Sequence, residues 1–252
     1  MAPDSILQEL RRRTPPDLSL EALCVGLHWT VATTARGAGV GAAFRDQDFG
    51  LEARDVPGAG TLVGQPVVEV AQACLGAGLA ARSAAVAMLA AALPADPAAL
   101  PANAKELLVG YGAKGARVVM VGHFLMVDWL REANLDLRVF ELPGRLQPGD
   151  LPSTELSAHL PSADVLAITA TTLITGTLED ILARRAPHTK VILMGPTTPL
   201  SPLLFDYGIH HVCGVRVEQP DVALACAAQG ATARQMQGLR RLCLSAPGEG
   251  NL

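Results

Sequence analysis

Two polar residues follow short apolar runs of this sequence, and either could bind a ligand or transfer a proton. His123 comes just after the run Arg117–Val121, and an imidazole there could be a general acid or base, a hydrogen-bond donor or a metal ligand. Glu141 ends the next apolar run, about twenty residues beyond Gly122, where a carboxylate holds a ribose hydroxyl in dinucleotide-binding folds. The structural alternatives stay open: the histidine could tie down its own turn, and the carboxylate could lie in solvent.

Two loops rich in small and hydroxylated residues follow the next pair of apolar runs. Thr169–Thr177 comes after Val165–Ile168, and Gly195–Pro202 comes after Val191–Met194. Threonine hydroxyls and the backbone N–H groups of a helix N-terminus could bind an anionic or polar ligand. The same hydroxyls could instead cap the backbone of their own loop. Prolines stiffen the second loop, which lowers the entropy lost on binding.

The apolar runs that precede these residues predict strands of a parallel sheet. Short, wholly apolar runs are typical of strands that helices cover on both faces. In such sheets ligands bind outside the carboxyl ends of the strands. We therefore expect a binding site where Val121, Phe140, Ile168 and Met194 end their strands.

The chain divides at a proline-rich linker, Pro94–Pro101, into two predicted domains, 1–100 and 101–252. The first is predicted to be α+β, with a short amphipathic helix over 4–13, an antiparallel meander and helices between Val67 and Leu93. The second alternates strand and helix, which predicts a doubly wound α/β domain with about five parallel strands. The predicted strands of the meander are Ala22–Leu27, Thr30–Thr34 and Val40–Phe44.

Several element boundaries in the second half are predicted from local signals. Ser153 is expected to cap a helix over 153–159, and Thr177 is expected to open the next one with a capping box. His211–Cys213 is predicted as a short fifth strand. A last helix is predicted over 231–242.

Composition narrows the class of protein. Half of the residues are hydrophobic and the net charge is −4, which argues against a nucleic-acid-binding protein. The stretch Ala71–Leu93 is rich in alanine and interrupted by polar residues, so a buried helix pair is preferred to a membrane span. The N-terminus lacks a signal-peptide pattern. Five cysteines without a CxxC pair predict reduced thiols and a cytoplasmic location.

Common motifs give no reaction class. Gly110–Gly115 matches GxGxxG, but it precedes a predicted strand instead of following one, so we interpret it as the end of a helix and an entry turn. His210 and His211 point to opposite faces of a strand and cannot both ligate one ion. No spacing of cysteines and histidines specifies zinc.

Four segments together resemble one known family. They read VGHF, VFELPGRLQPGDLP, ADVLAITATTLITGTLEDIL and GPTTPLSPLLFDYGIHHVCGVRV. The family consists of domains of unknown function labelled "putative heavy-metal chelation". The resemblance implies a domain similar to the N-terminal domain of enolase, followed by a Rossmann-like domain, with a ligand cleft between them. This chain departs from the family at Thr175, where an asparagine is usual, and at Met88-Leu89-Ala90, where the family usually has Ile-Asn-Ala.

The strand ends and the resemblance together predict a protein that binds a metal ion, divalent or heavy, or a metal-chelating small molecule. The alternative is an enzyme acting on a small polar or anionic metabolite, with His123 as the acid–base group. His123 is also the candidate metal ligand, and a homodimer stays open. The predicted ligand-binding residues are Gly122, His123, Phe124, Glu141, Thr169, Thr171, Thr172, Gly176, Thr177, Gly195, Pro196, Thr197, Thr198 and Gly214.

Overall fold

The chain forms a mixed α/β protein with one large, mainly parallel sheet and one small antiparallel sheet. A computed structural model describes residues 4–249. The strands are β1 Leu20–Val25, β2 Trp29–Thr34, β3 Gly37–Ala42, β4 Val118–Val121, β5 Leu137–Glu141, β6 Leu151–Pro152, β7 Val165–Thr169, β8 Lys190–Met194, β9 His211–Val217 and β10 Leu239–Ser245. The helices are α1 Ser5–Arg13, α2 Val67–Leu75, α3 Leu79–Ala91, α4 Ala104–Gly112, α5 Val127–Glu132, α6 Leu156–His159, α7 Thr171–Thr175, α8 Leu178–Arg184 and α9 Pro220–Ala228.

The large sheet has the strand order β10-β9-β8-β7-β4-β5-β6. Its six strands from β9 to β6 are parallel, whereas β10 pairs antiparallel with β9. The chain runs from β4 toward β5 and β6 and then returns to place β7 on the other side of β4. The order therefore reverses between β4 and β7, and the crevice outside their carboxyl ends is the topological switch point of the sheet.

The small sheet is the predicted meander, with the order β1-β2-β3, and α3 packs closely across it. Glycines allow this approach, because a Cβ added at Gly41 would lie 2.8 Å from the carbonyl oxygen of Ser83 on α3. The Ser83 hydroxyl is buried there and donates a hydrogen bond to the Ala42 carbonyl oxygen at 2.6 Å. The abundance of Ala and Gly thus serves close packing of a helix on a sheet.

The hydrophobic core continues from the N-terminal helices onto the large sheet. One cluster joins α1, α2 and α3 to side chains on one face of that sheet, including Val121, Ile168 and Leu193. A second cluster covers the opposite face, where α4 and α5 pack against Met120 and Ile192. The division at Pro94–Pro101 stays a prediction, since buried contacts cross it.

The predicted last helix is wrong, because the chain forms the edge strand β10 instead. Its apolar run Leu242–Leu244 is buried and pairs with β9. Gly238 immediately precedes the strand at φ 76°, a backbone conformation that ends a helical path. The large sheet consequently has more than the five strands predicted, and β9 is longer than the three residues expected for it.

Two predicted helix caps are also wrong. Ser153 begins a 3-10 turn, Ser153–Glu155, and no side chain caps it; the following helix α6 has only four residues. Thr177 makes no capping bond, because Gly176 ends α7 directly before it in the left-handed region. Asp180, the expected partner in the capping box, accepts from Arg184 instead, and the neighbouring Glu179 is buried and accepts a hydrogen bond from the Ile6 amide. By contrast, Ser201 caps the turn Pro202–Tyr207 as its sequence indicates.

The expectation of reduced cysteines is wrong for one pair. Cys213 on β9 and Cys243 on β10 are joined by a disulfide and face each other in the strand register. Both are buried. Cys24, Cys74 and Cys226 are free. The pairing joins residues that are distant in sequence, so it depends on a strand that was predicted as a helix.

Two expectations that concern helices agree with the structure. The GxGxxG match does not follow a strand: Gly110 and Gly112 end α4, and Gly115 makes the turn into β4 at φ 78°. Within residues 4–249, no helix is both long and apolar enough to cross a membrane.

Candidate functional site

A cleft of about 970 Å³ opens at the switch point of the large sheet. The carboxyl ends of β4, β5 and β7 form one wall. The other wall comes from the N-terminal part of the chain, with Trp29 on β2 and the segment from Ala42 to Phe49 after β3. Eight of the predicted ligand residues line this cleft: Gly122, His123, Phe124, Glu141, Thr169, Thr171, Thr172 and Thr177.

A glycine places His123 at the switch point. Gly122 has φ 96°, a conformation that side chains disfavour. A Cβ at this position would also lie 2.9 Å from the Cγ2 atom of Thr169. Only glycine lets the chain leave β4 so close to the end of β7, and the next side chain is then His123.

The His123 ring is held by a carboxylate that no sequence pattern indicates. Its Nδ1 lies 2.9 Å from Oδ2 of Asp150, whose side chain is fully buried. Asp150 also accepts from Arg131 Nη2 at 2.9 Å and from the Gln147 amide at 3.0 Å. Burial alone would raise the pKa of Asp150, but these hydrogen bonds and that of His123 hold the pKa below its usual value.

Asp150 fixes which nitrogen of His123 can react. An ionised carboxylate only accepts hydrogen bonds, so Nδ1 of His123 carries the proton and donates. In the neutral imidazole, Nε2 is then the acceptor. Within residues 4–249 this nitrogen has no hydrogen-bond partner, and the side chain is 20% exposed. The pair therefore presents an oriented base to the cleft, in the arrangement by which a carboxylate orients a catalytic or ligating histidine.

Glu141 supports the same turn through the backbone. One of its oxygens accepts from the His123 amide at 2.9 Å, and the other accepts from the Leu142 amide at 2.7 Å. The Glu141 carboxylate is therefore not free in solvent, because each of its oxygens already accepts a hydrogen bond from a backbone amide. It still lines the cleft, and each oxygen keeps a further lone pair.

The threonines after β7 bond mainly to their own loop. Thr172 Oγ1 donates to the Thr169 carbonyl at 2.7 Å, and the hydroxyls of Thr169 and Thr171 lie 3.0 Å apart. Thr175 and Thr177 form a similar pair, also at 3.0 Å. Capping of the loop backbone is confirmed for Thr172, whereas the other hydroxyls pair with one another. Thr169, Thr171 and Thr177 nevertheless lie on the cleft wall.

The loop after β8 faces the N-terminal sheet instead of the cleft. Thr197 Oγ1 accepts from the Ala42 amide at 3.0 Å, which joins this loop to β3. At Gly214 a Cβ would lie 2.6 Å from the Thr198 carbonyl, so this glycine permits close packing. Six predicted ligand residues do not line the cleft: Gly176, Gly195, Pro196, Thr197, Thr198 and Gly214. Their part in ligand binding stays a prediction.

Three arginines line the cleft, and two of them are neutralised within the protein. Arg45 pairs with Asp48 at 2.8 Å, and Arg184 pairs with Asp180 at 3.0 Å. The third, Arg145, lies against two aromatic rings, with its guanidinium carbon 5.0 Å from the Phe44 centroid and 5.3 Å from that of Phe49. No motif or spacing in the sequence marks Arg145 or Asp150 as a site residue. Their one signal was their place in the segment VFELPGRLQPGDLP, which carries the family resemblance.

The donor set does not fit a bare metal ion. Within residues 4–249, no group of three or more His, Cys, Asp or Glu side chains is arranged to hold one. The donors near His123 are already engaged, because Asp150 bonds to Arg131 and Glu141 bonds to backbone amides. A metal ion at His123 would need its other ligands from a bound molecule.

The fold and the cleft describe a mixed α/β protein with an oriented histidine at the switch point of its sheet. The family model DUF364, described as "putative heavy-metal chelation", matches residues 109–244. That is more than half of the chain, which therefore belongs to this family. The model DUF4213, with the same description, matches residues 7–93.

Similar proteins agree in fold. A DUF364-family protein of unknown function from Desulfitobacterium hafniense has a crystal structure with TM-score 0.78 and 23% identity, over 96% of this chain and 97% of that one. A family member of unknown function from Pyrococcus horikoshii gives TM-score 0.74 and 20% identity, over 96% and 98%. An uncharacterized protein of Methanocaldococcus jannaschii is 33% identical over 112 residues, which is 43% of each chain. The match thus spans less than half of that relative.

Proposed function

We propose that this protein binds a small metal-chelating organic molecule, free or with its metal ion, in the cleft beside His123. The observation that carries the proposal is the His123 ring, which Asp150 holds through Nδ1 and which lines a cleft of about 970 Å³. Small-molecule sites are of this size and combine apolar walls with few directed polar groups. The cleft lies between residues 1–100, the proposed enolase N-terminal-like unit, and 101–252, the proposed Rossmann-like unit.

A chelating molecule agrees better with the side chains than a bare ion does. Described residues offer no cluster of three metal donors, and metal sites in proteins need several converging ligands. A chelator brings its own donors, so the protein has to supply only one nitrogen and a shaped cavity. His123 supplies that nitrogen, while Phe124, Phe140 and Trp29 supply apolar wall.

The test compares metal ions with their chelates on untagged protein purified without added chelators. We expect Ni²⁺ or Zn²⁺ alone to bind substoichiometrically and to leave the melting temperature unchanged. Citrate or pyridine-2-carboxylate, alone or with Ni²⁺, should raise the melting temperature, and His123→Ala should remove the shift. His188→Ala is the matched control, since that side chain is exposed and does not line the cleft.

Two results would decide against the proposal. One equivalent of a metal ion that stays bound through dialysis and stabilises the protein alone would show direct metal binding. A melting temperature that no chelator shifts would remove the chelate as ligand.

A second candidate function, favoured by the Asp150–His123 hydrogen bond, is an enzyme that acts on the bound molecule. In that reaction Nε2 of His123 would take a proton from the substrate, and Asp150 would hold the ring and stabilise the imidazolium that forms. General acid–base groups of this kind contribute about 10²- to 10⁴-fold to rates.

The enzyme alternative is tested by a metabolite turnover screen followed by Asp150→Asn. We expect this variant to lose a large part of the turnover and to keep most of the binding, because the ring loses its orienting carboxylate and not its place in the cleft. Turnover that survives His123→Ala unchanged would exclude His123 as the acid–base group.

A further inference from the structure

Arg145 differs from the other two arginines of the cleft in having no carboxylate partner. Among residues 4–249, no Asp or Glu lies within salt-bridge distance of its guanidinium. Asp48 is bound by Arg45, whose hydrogen bond is the main cause that lowers the pKa of Asp48, whereas the charge of Arg145 contributes least to that lowering. Arg145 therefore brings a positive charge to the cleft that the described protein leaves available.

The guanidinium of Arg145 lies over the rings of Phe44 and Phe49. The two rings meet edge to face, with centroids 5.3 Å apart, and Arg145 lies 5.0 and 5.3 Å from them. Within residues 4–249, Arg145 forms hydrogen bonds only through its backbone, so the five N–H donors of its guanidinium are available to a ligand. Two parallel N–H groups of a guanidinium match the two oxygens of a carboxylate.

The backbone also fixes Arg145 relative to His123. Both Arg145 and Asp150 belong to the segment that follows β5. The Arg145 amide donates to the Leu142 carbonyl at 2.8 Å, and Arg131 Nη1 donates to the Pro148 carbonyl at 2.8 Å. Asp150 then holds the His123 ring. The segment between β5 and β6 is therefore held by hydrogen bonds, and it positions both the Arg145 guanidinium and, through Asp150, the His123 imidazole at the same cleft.

We propose that Arg145 is the specificity-determining residue of the cleft and selects ligands that carry a carboxylate group. The ligand class is a small chelating carboxylic acid, whose carboxylate bonds to Arg145 while an N–H or O–H group of the ligand, or the metal ion that it chelates, binds to Nε2 of His123. This inference rests on the proposed function and specifies its ligand.

The experiment measures dissociation constants for matched acids and amides. The pairs are pyridine-2-carboxylate with its carboxamide and citrate with its triamide. For the wild type we expect each acid to bind more tightly than its amide by about tenfold or more, which is the scale of a charge-assisted hydrogen bond. Arg145→Gln should abolish the difference between acid and amide. Arg145→Lys should restore only part of it, because an ammonium cannot form the paired bonds.

Arg184→Gln is the matched control, since it removes one positive charge from the same cleft wall. The Arg184 guanidinium already bonds to Asp180, and it donates to the Ser157 hydroxyl at 2.9 Å. Because its charge is engaged within the protein, Arg184→Gln should keep the preference for acids over amides. Each variant is compared with its own unliganded melting temperature, which separates loss of the Phe44 and Phe49 contacts from loss of binding.

The outcomes separate this inference from the proposed function. Amides that bind as tightly as acids, or an unchanged preference in Arg145→Gln, would overturn the role of Arg145 and leave the binding site in place. If neither acids nor amides bind, the ligand class and the proposed function both fail. An equal loss in Arg184→Gln would show that net charge, and not Arg145 itself, sets the preference.

Discussion

Two loops of similar composition leave neighbouring strands of the large sheet and face different surroundings. Thr169–Thr177 follows β7 and contributes threonines to the cleft wall. Gly195–Pro202 follows β8, and there Thr197 accepts a hydrogen bond from β3. The N-terminal sheet thus closes one half of the carboxyl edge and leaves the other half, at β4 and β7, open. A high content of threonine and serine predicts that a loop lies at the carboxyl edge of the large sheet. What the loop faces there depends on where the N-terminal sheet packs.

Two histidines repeat this contrast. At the open half, His123 has one nitrogen bound to Asp150 and the other without a partner among described residues. In the interior of the large sheet, His211 at the start of β9 is 1% exposed, and both its nitrogens are engaged, with the Tyr111 hydroxyl and the Ser245 hydroxyl, each at 2.9 Å. We expect changes at such buried positions, including those of the closed half, to alter stability and changes in the open half to alter binding.

The largest effect on stability is expected from the disulfide that joins β9 to β10. Cys213 and Cys243 are 30 residues apart, and closing a loop of this length stabilises a fold by about 3–4 kcal/mol. Reduction should lower the free energy of unfolding by about that amount, measured in urea with and without a phosphine reductant. Cys213→Ala/Cys243→Ala is the control, since reductant should not affect it.

Thiol alkylation of the native protein, unfolded without reductant, checks the same pairing. Three labelled cysteines are expected, namely Cys24, Cys74 and Cys226. Five labels would show that the pair is reduced. Thiol trapping in intact cells would also test the predicted cytoplasmic location, because structural disulfides are rare in the cytoplasm.

The next effect is acid destabilisation through His211. Burial lowers its pKa to about 4 in the folded protein, against about 6.5 for a free histidine. Between these values the unfolded chain binds a proton that the folded protein does not, so stability falls as the pH falls, by about 3 kcal/mol in all. His211→Gln should flatten the slope of unfolding free energy against pH in this range.

His188 provides the comparison for that slope. Its side chain is 60% exposed, so His188→Gln should leave the pH dependence as in the wild type. If His211→Gln keeps the wild-type slope, another group causes the acid destabilisation.

The sequence predicts the elements that are set locally and misses those that depend on contacts. Apolar runs mark β7 and β8, and Gly122 marks the turn at the end of β4. The strand β10 was missed because its segment, from Ala231 onward, contains helix-forming residues. Its conformation is decided by pairing with β9, across a disulfide that no local pattern shows.

The candidate site divides in the same way. His123 could be predicted because it ends a strand at the sheet edge, where sites lie. Asp150 stands in the turn Gln147–Asp150, and its contact with His123 exists only once the segment after β5 folds back beside β4. In the sequence, nothing separates Arg145 from the other arginines. It differs from them only in the folded protein, where it contacts the rings of Phe44 and Phe49 on the opposite wall of the cleft.

The smallest and sharpest test compares two adjacent threonines of the closed half. Thr197 and Thr198 are each 2% exposed. Thr197→Val leaves the Ala42 amide without its acceptor, which should cost about 1–3 kcal/mol of unfolding free energy. The Thr198 hydroxyl is buried and has no partner among the described residues, so Thr198→Val should change stability by about 0.5 kcal/mol or less, or raise it.

Urea unfolding measures both variants, and binding of the same acids shows whether the two halves of the edge are separate. If the N-terminal sheet closes this half, both valine variants bind like the wild type, whereas Thr171→Val, on the cleft wall, weakens binding at little cost in stability. Weaker binding by Thr198→Val would instead place the β8 loop in the site, as its composition predicts, and would mean that the closed half opens when a ligand binds.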